Sequence, residues 1–532
     1  MTTGKILDNF YIKVLLKGWG ICCLIWSFMI VQFWWGNHDW EFLKYGISLK
    51  HGFFEARYSQ HLPTVLFLEG QILPVFSYIL SMFLLALLSL LMALYLGCPK
   101  EEIKYLFFIS TLASLPHTPI LFYYIFIMVP YLFWGCFGVC LLFLTESPLK
   151  LWRFFLAILG FTVLFGSYPP NMSLIMTLFV GRQMLLYVTK QQNFKEIFYS
   201  SLFFLGIFCF AGLGYKLIQH FMVHWGILNP MMYNISMRSL TEIIWQIPEE
   251  IKHINKFIFD MFHSLGGLYV LFFLALLVGS LGYLFYVSSN KIVVSFLFMI
   301  LFLCSRFPFI ISEAADNARF RVSWWGEVGI IAICLVVLFQ INKKIIQNFV
   351  LLFSCFVIAR FITTDFEIQK VQYMGFEAER LYQKRVEERL FDYSIFDINK
   401  QYYTLNIGYP DIHRHFCYRG CSGLNNELLD PTVLPADFGQ FIFWEEQKQP
   451  VNLRYGFWGK NLWFVGRGNL QEMRPRGIFG TVMDIRQWMY SGVKMYPSVS
   501  SIYMDDQFII FNLDERVFNL NREYILNHFD EE

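Results

Sequence analysis

Charge is what this chain is short of. Only 15% of its 532 residues are Asp, Glu, Lys or Arg, against about 25% in a soluble globular domain. The balance is nearly even, at a net +2, so no bulk field favours nucleic acid. There is no internal repeat, low-complexity tract or Gly-rich phosphate loop. A small-residue cleavage pattern is also missing after Lys5, Lys13 and Lys17, so the first apolar run reads as a retained anchor rather than a cleaved leader. No Cys/His set has convincing zinc spacing. Nine of the 11 cysteines fall in the apolar part of the chain, where cysteine behaves as a small apolar residue. Cys417 and Cys421 stand in a polar region and can close a small disulfide if that region faces an oxidising compartment. A zinc half-site is the other reading of that pair.

What is abundant is hydrophobicity. Apolar residues make up 56% of the chain, with 60 Phe and 15 Trp, and the mean hydropathy is +0.47. These values predict an α-helical polytopic membrane protein. Eleven apolar runs are long enough to count as spans: 14–35, 72–96, 103–117, 121–145, 153–167, 170–188, 197–218, 266–287, 292–311, 323–341 and 345–364. With the N-terminus cytoplasmic, the inner loops carry Lys100 and Lys104, Lys150 and Arg153, Lys190 and Lys195, Lys291, and Lys343 and Lys344. All are basic, as the positive-inside rule expects. Eleven spans then leave the C-terminus outside. The expected domains are a membrane domain over 1–364, with outer loops 36–71, 219–265 and 312–322, and a soluble outer domain over 365–532. The second opens with a charged amphipathic helix from Asp365 to Leu390. Short apolar runs at Tyr402–Ile407, Phe441–Trp444, Leu462–Val465 and Phe508–Phe511 predict strands, hence a mixed α/β domain.

The outer loops concentrate the reactive side chains. Immediately after the first span comes His38-Asp39-Trp40-Glu41. A carboxylate at a membrane surface can act as a base toward an acceptor hydroxyl, and a Trp can pack on a sugar face. The plain alternative is a set of ordinary interfacial residues. Glu55, Arg57, Gln60, His61 and Glu69 follow, interleaved with apolar residues that suit short interfacial helices. Arg57 can pair with a phosphate, or with Glu55. Before the tenth span, Glu313, Asp316, Arg319 and Arg321 form a second cluster. Its guanidinium groups suit an anionic lipid head group, and an arginine–carboxylate network is the competing reading. His220 and His224 have metal-compatible spacing without a matching acid motif, and read as interfacial histidines.

Several of these stretches resemble the GtrII-type glucosyltransferase family, bacterial membrane enzymes that add glucosyl groups to O-antigen. The carriers are Asn37-His38-Asp39-Trp40, Gly166-Ser167-Tyr168-Pro169-Pro170-Asn171-Met172, Asn317-Ala318-Arg319-Phe320-Arg321, Ala378-Glu379-Arg380 with Lys384-Arg385-Val386, and Met495-Tyr496-Pro497-Ser498 followed by Phe508-Ile509-Ile510-Phe511. Tyr-Pro at 168–169 replaces the family's usual Tyr-Gln, and Asp39 with Glu41 replaces a paired Asp-Asp. The resemblance implies a GT-C-like architecture with its site at the outer face and a periplasmic C-terminal domain. It implies a polyprenyl-phosphate-linked donor, expected to carry glucose, and a hydroxyl of a surface glycan as acceptor. Asp39 would be the base, supported or replaced by Glu41. Arg57, Arg319 and Arg321 would hold the donor phosphate, and His38, Trp40 and His61 would contact substrate. Some GT-C enzymes bind a divalent metal at such a diacid, but polyprenyl-phosphate donors commonly need none, so no cofactor or metal is expected. The alternatives are a GT-C enzyme with lipid A or protein as acceptor, and a transporter or flippase of lipid-linked sugars. The latter calls for charges through the membrane midplane and repeat symmetry.

Overall fold

The structure is a computed structural model. It describes residues 8–32, 46–53, 57–116, 118–122, 125–146, 151–168, 170–228, 238–239, 241–250, 267–311, 319–341, 344–395 and 403–407, and, near the C-terminus, 487–488, 491–492, 494, 498–504, 508–512 and 519. Asp39, Glu41, His38, Trp40, Cys417 and Cys421, and the strands expected at 441–444 and 462–465, lie outside the described residues.

The helices, in chain order, are α1 (Asn9–Ile25), α2 (Ser27–Val31), α3 (Leu49–Phe53), α4 (Leu62–Leu68), α5 (Pro74–Leu96), α6 (Glu102–Ala113), α7 (Thr118–Phe122), α8 (Ile125–Thr145), α9 (Leu151–Phe165), α10 (Asn171–Val188), α11 (Phe194–His224), α12 (Gly267–Val287), α13 (Lys291–Ser305), α14 (Phe307–Ile311), α15 (Arg319–Phe339) and α16 (Lys344–Leu390). Residues 241–250 are also helical. Six helices among the described residues are long and apolar enough to cross a bilayer: α5, α8, α10, α11, α12 from Leu268, and α16 as far as Met374. Three shorter apolar helices cover Leu151–Phe165, Lys291–Ser305 and Trp324–Phe339. Large apolar side chains stand exposed on the outer helices, among them Leu205 and Leu213 of α11 and Phe349, Leu352 and Phe356 of α16. Water would penalise such faces, whereas hydrocarbon accepts them. The chain is an α-helical polytopic membrane protein.

The run expected over 292–311 breaks at Arg306 between α13 and α14, and the first and last apolar runs also differ in form from the expectation. The first is not one helix, because it breaks at Trp26 between α1 and α2. The Trp26 indole turns inward and donates to the Ala113 carbonyl at 3.2 Å. The last run does not stop at Thr364. With no Pro from Lys344 to Leu390 to end it, α16 runs unbroken for 47 residues into the charged segment.

Contacts divide the described chain into two compact units, with the boundary inside α16 between Gln369 and Lys370. In the first unit α5 packs along α8, α10 against α13 and α15, and α9 against α11. Close approach depends on missing side chains. A Cβ on Gly181 of α10 would lie 2.2 Å from the Ile333 side chain of α15, so any larger residue would force Ile333 to shift. The second unit contains a small sheet of order β1–β3–β2, with β1 (Tyr403–Ile407), β2 (Ile502–Met504) and β3 (Phe508–Asn512). β3 is parallel to β1, with Tyr403 opposite Phe508, and antiparallel to β2, with Ile502 opposite Phe511.

The helical unit has two chemically distinct ends. At one, Lys100 pairs with Asp8 and Lys17 with Glu102, while Lys104 donates to the Phe339 carbonyl at 3.1 Å. At the same end Arg182 donates to the Leu96 carbonyl at 3.3 Å and faces Glu146 at 3.4 Å. These cations meet the C-terminal ends of α5, α8 and α15, where helix carbonyls carry partial negative charge. Lys100 and Lys104 are among the basic residues expected in the inner loops; Lys104 lies in the first turn of α6. The opposite end gathers residues 57–62, the start of α8, the α9–α10 turn and the α13–α14 junction.

Candidate functional site

At that opposite end a tight turn carries Arg57. The turn is welded to the bundle through backbone groups. Arg57 N–H donates to the Gly52 carbonyl at 2.8 Å and Ser59 N–H to the Gly166 carbonyl at 2.8 Å. The Ser59 hydroxyl donates to the Val163 carbonyl and the Tyr58 hydroxyl to the Thr162 carbonyl, both at 2.6 Å. The last carbonyls of α9 have no intrahelical donor of their own, so residues 58–59 cap that helix. Trp134 of α8 adds an indole donor to the Gln60 carbonyl at 3.2 Å. Tyr58 lies where a side chain on Gly166 would stand: a Cβ there would fall 2.3 Å from its ring.

These anchors place Arg57 over the α9–α10 turn. Its guanidinium carbon stands 5.4 Å from the centre of the Tyr168 ring, and Nη1 reaches Oε1 of Gln60 at 3.5 Å. Tyr168 in turn stacks on Tyr131 with centroids 3.8 Å apart and planes 13° from parallel. Two aromatic faces therefore stiffen one half-buried cation. Directly after this turn α10 begins, and Asn171, its first residue, is buried with neither amide atom hydrogen-bonded. A fixed guanidinium, an amide with unused hydrogen-bonding capacity and the start of an 18-residue helix suit an anion.

His61 follows in the same turn, but it does not face outward. It is buried, its ring stacks on Phe126 at 6.2 Å, and its Nε2 lies 3.4 Å from Nε2 of Gln60. Arg319 and Arg321 are both in the first turn of α15; their side chains lie outside the described residues. Of the expected donor-phosphate group, only the Arg57 side chain is among those described.

The α13–α14 junction adds a charge that the hydropathy pattern hides. Arg306 donates from Nε and Nη2 to one carboxylate oxygen of Glu250, at 3.0 and 2.8 Å. Both side chains are buried, and the guanidinium carbon sits 3.9 Å from the Phe309 ring centre. Gln246 donates to the other Glu250 oxygen at 3.1 Å. The pair draws helical segment 241–250 onto the end of α13. A single Arg within the run 292–311 leaves that run apolar on average, so only its unusual position could have flagged it. Glu327 is another hidden charge, buried two residues past Trp325 in α15.

Beside the 241–250 segment, the Glu242 carboxylate accepts from Ser239 N–H at 2.6 Å, and the Ser239 hydroxyl accepts from Glu242 N–H at 3.3 Å. This reciprocal cap holds the Glu242 carboxyl below its ordinary range, first through the backbone hydrogen bond from Ser239 and then through its hydroxyl. Among the described residues no group of three or more His, Cys, Asp or Glu is placed to hold a metal ion. Comparison with family models, curated proteins and solved structures found no match for this chain.

Proposed function

We propose that the protein is a membrane glycosyltransferase that moves a sugar, expected to be glucose, from a polyprenyl-phosphate carrier to a hydroxyl of a surface glycan such as O-antigen. The observation that supports this reading most is the Arg57–Tyr168–Tyr131 stack. It holds a cation at the end of the helical unit away from Lys100, Lys104 and Arg182. The positive-inside rule assigns the latter end to the cytoplasm. On that assignment the protein crosses the inner membrane eleven times and the domain after α16 is periplasmic. An outward-facing lipid-borne phosphate then meets Arg57, with Arg319 and Arg321 as its further partners.

The chemistry follows from that arrangement. Asp39, assisted by Glu41, takes the proton of the acceptor hydroxyl. The freed oxygen pair forms the bond to the anomeric carbon while the bond from that carbon to the phosphate oxygen breaks. The phosphate leaves with the electron pair, and its charge develops beside the arginines, where stabilisation accelerates the step. No metal is required by these groups.

A flippase of lipid-linked sugars is the second reading, favoured by the buried Glu327 inside a span. Protein reconstituted with polyprenyl-phosphate-glucose and an O-antigen oligosaccharide separates the two. The transferase adds one hexose mass to the oligosaccharide, and Asp39→Asn abolishes that product while leaving donor binding intact. Lipid translocation without any mass gain would sink the transferase reading.

A further inference from the structure

Asp365 and Gln369 stand one helical turn apart on α16, on the same stripe of the helix. Both are 0% exposed. Neither carboxylate oxygen of Asp365 has a hydrogen-bond partner, and neither amide atom of Gln369 has one. Gln372, buried on the same stripe one turn further on, leaves its Oε1 unpartnered too, and the contacts on either side of the acid are aromatic. One turn before Asp365, Phe361 packs against Tyr269 and Phe272 of α12, at centroid distances of 5.4 and 5.2 Å. Next to it, Phe366 meets Phe28 of α2 at 6.4 Å. The rings fix the helix on both sides of the acid.

An ionised carboxylate withdrawn from water without a partner is among the most costly groups a fold can hold. A proton would remove the charge, but it would leave an O–H, a carbonyl and a whole carboxamide still unsatisfied. Buried polar groups are normally paired, and three exceptions along one stripe call for an account. One such account is a partner molecule that supplies the missing hydrogen bonds.

We propose that Asp365 and Gln369 form a subsite for the hydroxyl groups of a pyranose ring, an inference that rests on the glycosyltransferase reading. The donor set selects the ligand. A carboxylate accepts two hydroxyl hydrogens, and a carboxamide gives and accepts one bond each, which matches adjacent hydroxyls of a sugar. A phosphate is excluded by its charge against the carboxylate. A multivalent metal would need more acidic ligands than the one present. The position also fits. Asp365 lies 21 residues beyond Lys344, the first residue of α16, which at about 1.5 Å per residue is roughly the thickness of the hydrocarbon core. The pair therefore stands level with the lipid head groups on the side where the sugar would be delivered. Both groups are closed off from solvent, so the proposal requires the helices packed on this stripe to part when sugar binds.

The test uses the full-length protein in nanodiscs, with Asp365→Asn and Gln369→Met as near-isosteric variants. Three probes are titrated: polyprenyl-phosphate-glucose, bare polyprenyl phosphate, and an O-antigen oligosaccharide. Both variants are expected to melt at or above the wild-type temperature, because each lightens a load of unsatisfied groups. Bare polyprenyl phosphate should bind unchanged. A fall of tenfold or more in preference for the glucosyl lipid assigns the subsite to the donor. The same fall for the oligosaccharide alone assigns it to the acceptor. Folded variants that bind all three probes as wild type does would overturn the inference and leave the transferase reading standing. Wild-type protein that binds no sugar-bearing probe would remove both. If neither variant folds, the pair is structural and the inference fails.

Discussion

Arg306 places two donor nitrogens, at 3.0 and 2.8 Å, on a single oxygen of Glu250, and both side chains are withdrawn from solvent. A pair of this kind is weak evidence of net stability, because desolvation offsets the attraction. Breaking one side of it is another matter, since the remaining charge stays buried. Glu250→Gln is therefore expected to destabilise the protein by about 3–5 kcal/mol, read as a lower midpoint in thermal unfolding in detergent. Glu250→Gln combined with Arg306→Met should recover most of that loss. A double variant no better than the single one would show that the pair itself is not the source.

The same pair marks the limit of what the sequence makes legible. Apolar runs identify the long helices because length and composition are local properties. Arg306 escapes notice because its neighbours Phe302, Leu303, Phe307 and Phe309 keep the run apolar. Its partner Glu250 is 56 residues away, and no window connects them. Arg57 and Tyr168 are separated even further, by 111 positions, and meet only because residues 58–59 cap α9. Asp365 is misjudged for a different reason. The rise in charge after Thr364 suggests the start of an exposed helix, but helix continuity is governed by the backbone, and nothing in 344–390 interrupts it. Its side chain is consequently carried into a buried stripe.

Gly166 tests the coupling between the Arg57 turn and the bundle. A Cβ there would fall 2.3 Å from the Tyr58 ring, and the ring cannot yield easily while its hydroxyl holds the Thr162 carbonyl. Gly166→Ala should cost about 1–3 kcal/mol of stability, as overpacking does, and should shift the turn that carries Arg57. On the proposed transferase reading, the expected kinetic signature is a raised KM for a polyprenyl-phosphate donor. Gly166→Ala with Tyr58→Ala should relieve the clash and restore stability in part. An unchanged melting point in the single variant would show that the turn gives way at no cost.

Segment 241–250 should loosen in acid. The Ser239 cap depresses the Glu242 carboxyl in the folded state. A depressed acid contributes stability above its unfolded-state pKa and loses it as pH falls through the folded-state value. The cap is thus fully formed at neutral pH and weakens below the ordinary glutamate range. Trp245, 74% exposed on the same segment, reports the change: its fluorescence should titrate in that acid window. Glu242→Gln should move or abolish the transition, and Ser239→Ala should bring it closer to the ordinary carboxylate value. A transition identical in all three proteins would assign it to another group.

Arg57 offers the sharpest test of donor recognition, because lysine keeps its charge and loses its shape. A guanidinium stands over the Tyr168 ring and can present paired N–H groups to a phosphate, which an ammonium does less well. Losing one charge-assisted hydrogen bond costs about 1.5–3 kcal/mol, so Arg57→Lys should weaken binding of polyprenyl-phosphate-glucose roughly tenfold or more. Tyr168→Leu removes the face under Arg57 together with its stack on Tyr131; the cation–π part is worth about 0.5–1 kcal/mol for a half-buried cation, so donor binding should weaken by a smaller factor. The order of the two variants matters as much as their size. Arg57→Lys should lose affinity equally for the glucosylated and the bare lipid if, as proposed, the guanidinium reads phosphate and not sugar. A variant that retained bare-lipid affinity while losing the glucosylated lipid would move Arg57 from the phosphate to the sugar.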